Sequence, residues 1–188
     1  MPFPAKTSPE AILRQAVTLL DRDGPDALSM RTLADALHVR PSSLYRHYPD
    51  RAALEQAIAD HTISELHHAL ETATRDRTGP DALHAAAHAY LAYARAHPHR
   101  YDLMLAPRPP APATPGPGKQ LWNLVLSLLS PITRHPDDTN AAVAFWAFLH
   151  GFIALERSGL FGQSGPQHGF DTGLHALTRG LGRVRKPA

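Results

Sequence analysis

Among its 188 residues the chain has no cysteine, which excludes disulfides and thiolate metal sites. It has no Gly-x-Ser-x-Gly turn and no glycine loop of the kind that cradles phosphates, so two common marks of nucleophilic and nucleotide chemistry are missing. Long apolar runs are missing too. The longest, Ala141 to Leu149, falls short of the about 20 residues a membrane helix needs. The start, MPFPAKTSPE, lacks the apolar centre of a signal peptide. A soluble, cytoplasmic protein without cofactor is expected. The net charge of +2 is too small to announce a nucleic-acid partner by itself, so the distribution of charge has to decide.

What the chain does have is a patterned stretch from Met30 to Arg51, MRTLADALHVRPSSLYRHYPDR. Leu33, Ala34 and Leu37 form one apolar stripe of a short helix. His38-Val39 makes a turn, and Pro41 suits the first turn of a second helix, where no N–H is needed. Leu44 points back onto Leu33, Leu37 and Val39. Ser42, Ser43, Tyr45, Arg46 and His47 stay polar and outward. A helix with that free face, read here as Pro41 to Tyr48, is suited to a DNA major groove. Between Arg40 and Arg51 three arginines, Arg40, Arg46 and Arg51, stand against one acid, Asp50.

The segment LADALHVRPSSLYRHYPDRAAL resembles the DNA-binding segment of the tetracycline-repressor (TetR) family. The resemblance covers about the first third of the chain. It implies a helix-turn-helix reader, with Arg31 near a base or phosphate, Tyr45 on DNA, and Arg51 on a phosphate where the family usually has Lys. The family usually has Gly at the turn. Here His38 stands there, at a modest expected cost, since His tolerates positive φ better than most residues. Bland alternatives stand beside these roles: Arg31 as a solvated charge, Tyr45 as a packing residue, Arg46 and His47 as contacts that fix register without reading sequence. For Arg51 and the N–H groups capped by Asp50, the start of a helix makes an anion site.

The rest reads as helices. One spans Lys6 to Arg22, opened by Ser8-Pro9-Glu10, with Lys6 near a phosphate as one option. Others span Ser29 onward, Arg51 to about Arg75, Pro80 to Ala96, a short turn or helix over Arg100 to Leu105, Lys119 to Leu129, Asp137 or Asp138 to about Glu156, and Phe170 to about Leu181. Residues 106–118 carry six prolines in thirteen, which reads as an extended loop. The basic tail GRVRKPA is expected to fray. The centre AAVAFWAFLHGFIAL is apolar nearly all round, so it should be buried on more than one side, one of them against a second subunit. The fold expected is all-α: a helix-turn-helix DNA-binding domain over 1–50 and a helical ligand-binding and dimerisation domain over 51–188.

Trp146 to Gly151, W-A-F-L-H-G, resembles the W-x-x-x-H-G signature of one C-terminal domain type in the same family. In this reading Gly151 lets helices approach closely and His150 faces a pocket or bonds inside the core. Tyr90, Tyr93, Met104, Trp122, Phe145, Trp146, Leu149 and His150 are candidates for lining a mostly apolar effector pocket, and each is as suited to plain packing. Thirteen histidines, with His84 and His88 one helical turn apart, raise a rival: a metal-binding helical protein or enzyme. No Glu lies between that pair, so the zinc-protease pattern fails, and no metal site is assigned. The reading favoured is a non-enzymatic regulator. It would bind double-stranded operator DNA as a homodimer through its last two helices, released by an unidentified small-molecule effector, with no membrane partner.

Overall fold

The structure is a computed structural model that describes residues 8–107, 116–162, 165 and 168–183. Every regular element among the described residues is helical. By packing, the chain falls into two compact units, residues 1–65 with 96–117 and residues 66–95 with 118–188.

The first unit opens with α1 (Pro9–Asp23). Ser8 caps it, its hydroxyl accepting from the Ala11 N–H at 3.2 Å, and Pro9 fills the first turn without losing a hydrogen bond. Gly24 ends it at φ 80 and gives its N–H to Leu20. Lys6 lies outside the described residues. Helix α2 (Met30–Leu37) is capped by Ser29, which accepts from the Thr32 N–H at 3.0 Å. His38 then takes the left-handed conformation, φ 55 and ψ 45, as the turn requires. Helix α3 (Pro41–Tyr45) is shorter than the sequence suggests. Arg46 and His47 form a turn after it, because the Tyr48 and His47 N–H groups both bond to the Leu44 carbonyl, which tightens and closes the helix. Asp50 caps α4 (Arg51–Thr74), accepting from the Ala53 N–H at 2.7 Å.

Ile12, Ala16, Leu20, Leu33, Leu44, Leu54 and Ile58 make one core, and Leu37 and Val39 pack on its edge. Burying Leu44 completely stabilises the fold by about 1.5–3 kcal/mol and sets which side of α3 faces out. Helix α6 (Pro98–Leu105) lies against α1 and adds Leu103 to this core.

The second unit holds most of α5 (Gly79–Ala96) and of α7 (Pro117–Thr133), with α8 (Thr139–Arg157) and α9 (Gly169–Leu181). Helix α7 extends past Leu129 to include Pro131 in its last turn, and Pro117 opens it. Residues 108–115 of the proline-rich loop and 184–188 of the tail lie outside the described residues. Asp138 caps α8 through the Ala141 N–H at 2.9 Å. One face of α8 is buried, with Phe145, Leu149 and Ile153. On the other, Val143 is 54% and Leu155 45% exposed. The chain therefore covers only one of the two sides that an all-round apolar helix needs covered.

Helices α8 and α9 meet through rings: Phe148 and Phe152 pack on Phe170 at centroid distances of 5.4 and 5.0 Å. Gly173 makes this possible, since a Cβ there would lie 2.6 Å from Phe148 Cε2. Within the protomer no helix approaches Gly151: it is exposed on α8, and a Cβ there would meet nothing within 4 Å.

Candidate DNA-reading face and helical core

The burial of Leu44 turns Pro41, Ser42, Tyr45, Arg46 and His47 outward, with Ser43 partly covered. Tyr45 is 50% exposed, so half of a large aromatic surface is left for a partner. Arg40, at the N-cap of α3, and Arg31, in the first turn of α2, are also exposed. Tyr48 is not part of this face: its hydroxyl donates to the Pro9 carbonyl at 3.1 Å and ties the end of the reader to α1. Burial, with Glu10 nearby, raises the Tyr48 pKa.

Two acids near this face change its electrostatics. Arg51 is not free at the start of α4: its Nε donates to Glu55 Oε1 at 2.6 Å and its second nitrogen reaches the Pro25 carbonyl at 3.4 Å. Glu55 is one turn on, an i,i+4 pairing visible in the sequence but overlooked for the phosphate role. Glu10 sits near His47 and is held below the usual carboxylate range, first by a backbone hydrogen bond at the start of α1 and then by Ser8, with Arg14 and His47 adding attraction.

The residues proposed for a pocket divide. Tyr90, Phe145, Trp146 and Leu149 line a cleft in the second unit together with Leu70, Leu121 and Val125. The last three carry no polar or aromatic signal and were missed for that reason. Trp122 packs on Trp146 at 5.8 Å, and His150 stacks on Trp146 at 5.5 Å. The Tyr90 hydroxyl and His150 Nε2 are 3.1 Å apart. Burial pushes the His150 pKa down to about 4, so this core histidine is neutral at pH 7. Tyr93 is buried on α5 but does not line the cleft. Met104 belongs to α6 in the first unit. The enclosed space of the cleft is about 10 Å³, roughly the room of one water.

His84 and His88 turn to separate partners on α9. His84 Nε2 lies 3.1 Å from the Thr178 hydroxyl, and His88 Nε2 lies 3.1 Å from Asp171. Among the described residues no group of three His, Cys, Asp or Glu is placed to hold a metal ion. No helix among them is long and apolar enough to cross a membrane.

Residues 12–58, the helices and turn just described, match the family described as "Bacterial regulatory proteins, tetR family". Residues 83–177, about half of the chain, match its "Tetracyclin repressor-like, C-terminal domain". The chain belongs to the TetR family of transcriptional regulators. An uncharacterized HTH-type transcriptional regulator, Rv0681 of Mycobacterium tuberculosis, is 34% identical over 84% of this chain and 73% of its own length. Two solved structures share the fold. A TetR variant of Acinetobacter baumannii AYE in complex with minocycline is 21% identical with a TM-score of 0.72, over 95% of this chain and 98% of that one. BioQ with its natural double-stranded DNA operator is 22% identical with a TM-score of 0.61, over 94% of this chain and 99% of that one. This TetR-family protein is thus a helix-turn-helix DNA-binding regulator, in a family of regulators and not of enzymes.

Proposed function

We propose that the protein is a cytoplasmic, ligand-released repressor that binds a palindromic operator as a homodimer. The observation that carries the reading is the exposed face of α3, with Tyr45 half open above a fully buried Leu44. Ser42, Ser43 and Tyr45 are the groups for base edges and thymine methyls. Arg31 reads a base or holds a phosphate. Arg40, Arg46, His47 and the Asp50-capped start of α4, with Arg51, hold phosphates and fix register. In this division residues 1–50 read DNA and residues 51–188 bind effector and partner.

The homodimer is built from α8 and α9. Val143, Ala147, Gly151 and Leu155 follow one another at four-residue spacing on the exposed side of α8. Thr172, Ala176 and Gly180 do the same on α9. Small residues on such ridges let two helix pairs approach closely, and the exposed apolar side of α8 needs a cover. Two α3 helices would then enter successive major grooves. The effector site is the aromatic cleft around Tyr90 and Trp146, in a C-terminal domain of the W-x-x-x-H-G type. BioQ was solved on its operator and the Acinetobacter protein with minocycline, which supports both halves of the reading. A closed cleft favours a second reading, in which the C-terminal unit only dimerises. Under the first reading, rings must swing to admit a ligand.

The test is a salt titration of binding to the DNA flanking the protein's own gene, against scrambled DNA of equal length. Tight, saturable binding to the flanking DNA alone, with a steep salt slope, is expected. Equal weak binding to both DNAs, repeated with operators selected from a random pool, would sink the sequence-specific reading.

A further inference from the structure

The second unit carries an open basic groove that neither the reader nor the aromatic cleft uses. It lies where the start of α5, the end of α7 and the end of α9 come together, and its volume is about 410 Å³. Arg134, Arg179 and Arg183 line it, with His84 and His175 beside them and no carboxylate in the lining. Pro80, Pro131 and Ile132 give it an apolar wall. The volume is within the range of small-molecule sites.

Arginines near a helix C-terminus often serve only to offset its partial negative charge. These three differ in two respects. Arg134 follows α7, while Arg179 and Arg183 lie at the end of α9, so they come from two helices and converge on one groove. Among the described residues none of the three guanidiniums makes an ion pair or a side-chain hydrogen bond, not even to the last carbonyls of its own helix. By contrast, Arg22, Arg51, Arg95 and Arg100 all have carboxylate partners. The C-termini of α7 and α9 contribute about half a negative charge each, which three full positive charges outweigh. Asp171 pairs with His88, and neither Asp171 nor Asp81 is among the lining residues.

His84 and His175 meet edge to face at 4.5 Å. His84 is bonded to Thr178, whose own hydroxyl donates to the Leu174 carbonyl at 2.8 Å. That network holds the His84 ring at the edge of the groove. Gly182 brings α9 against the end of α7, where a Cβ would lie 3.7 Å from the Ile132 carbonyl oxygen, and so forms the floor.

We infer that this groove binds an amphiphilic organic anion: a carboxylate or phosphate head held by Arg134, Arg179 and Arg183, with an apolar body against Pro131 and Ile132. Planar guanidiniums take either head in bidentate fashion. The groove adjoins the α9 ridge of Thr172, Ala176 and Gly180, so a ligand there would sit next to the proposed dimer face. Binding itself does not depend on that reading or on DNA.

The experiment is calorimetry on the full-length, DNA-free protein with octanoate, octyl phosphate, inorganic phosphate and octanol. Saturable one-to-one binding of octanoate or octyl phosphate is expected, with octanol and inorganic phosphate each at least tenfold weaker. Whichever amphiphile binds more tightly identifies the head group. Arg179→Ala and Arg134→Ala should each weaken binding about tenfold, the scale of one charge-assisted hydrogen bond, and Arg179→Lys should recover part of it. All these side chains are exposed, so circular dichroism should show unchanged folding. No saturable binding of either amphiphile, equal binding of octanol, or undiminished binding in both alanine variants would each overturn the proposal.

Discussion

Arg100 is buried between two carboxylates from different helices. Its Nε donates to Asp21 Oδ1 at 2.9 Å at the end of α1, and Nη1 donates to Glu65 Oε2 at 2.5 Å on α4. Nη2 donates to His97 Nδ1 at 2.6 Å, which requires an unprotonated nitrogen there. The side chain is only 5% exposed while its partners are 34% and 40% exposed. One cation thus joins the reader's first helix to α4 and α6.

Removing that cation leaves two partly exposed carboxylates without their shared partner. Arg100→Ala is expected to lower unfolding stability by about 3 kcal/mol, between the values for a surface pair and a fully buried one. Asp21→Asn and Glu65→Gln should each cost less, because water reaches them. Urea unfolding of the three variants checks this. A loss under about 1 kcal/mol for Arg100→Ala would show the cluster to be surface decoration.

None of this was visible in the sequence. Arg100 stands in HPHRYDLML, where a lone Arg carries no pattern, and its partners are 79 and 35 positions away. The reader was legible because its signals are local: a cap at Ser29, a proline at Pro41, a buried stripe through Leu33 and Leu44. Its end was not, because the two bonds to the Leu44 carbonyl that close α3 leave no residue signature. Gly151 and Gly173 show the same limit. Both are small residues in apolar helices, and only packing tells that Gly173 admits Phe148 while Gly151 faces out.

His38 holds a left-handed turn that glycine would hold without strain. Its side chain is exposed, so replacement costs little packing. His38→Gly is expected to raise stability by about 0.5–1 kcal/mol and to leave operator affinity within twofold. Thermal unfolding and a binding titration read both. Destabilisation would mean that the imidazole makes a contact worth more than the strain.

If Arg51 holds a phosphate as proposed, Glu55 competes with DNA for it. With the pair intact, a phosphate must displace a carboxylate at 2.6 Å. Glu55→Gln is expected to tighten operator binding severalfold and to steepen its salt dependence, because a freed cation releases one more counterion. Arg51→Ala and Tyr45→Ala should weaken binding without altering the fold. Unchanged affinity in both alanine variants would move the reader elsewhere. Unchanged affinity in Glu55→Gln alone would place Arg51 away from phosphate.

Acid should weaken the core through His150. Its folded pKa of about 4 lies below the ordinary histidine value because burial disfavours the charged ring. In the window between about 6.5 and 4 the unfolded chain binds a proton that the folded chain refuses, so stability falls as pH falls. The ceiling is about 1.4 kcal/mol per pH unit, and partial solvent access to the ring brings the expected slope to about half of that. His84 and His97, also lowered by burial first, act in the same direction. Urea midpoints from pH 7 to 4 should drop steadily, and less steeply in His150→Gln. An equal slope in that variant would mean His150 titrates normally.

A packed glycine on α9 and an exposed alanine on α8 separate folding from assembly. Gly173→Ala puts a methyl 2.6 Å from the Phe148 ring, so the ring must move from its place between α8 and α9. A loss of about 1–3 kcal/mol is expected, read by thermal unfolding. Ala147→Glu changes only the open side of α8, where the protomer has nothing to lose. If that side is the dimer face, two like charges would meet across a closely packed two-fold interface. Ala147→Glu should then yield a folded monomer in sedimentation, and operator affinity should fall steeply because each half-site is held alone. A dimer that survives Ala147→Glu unchanged would assign the interface to another surface. A variant that loses both fold and dimer would show instead that Ala147 is packed within the protomer.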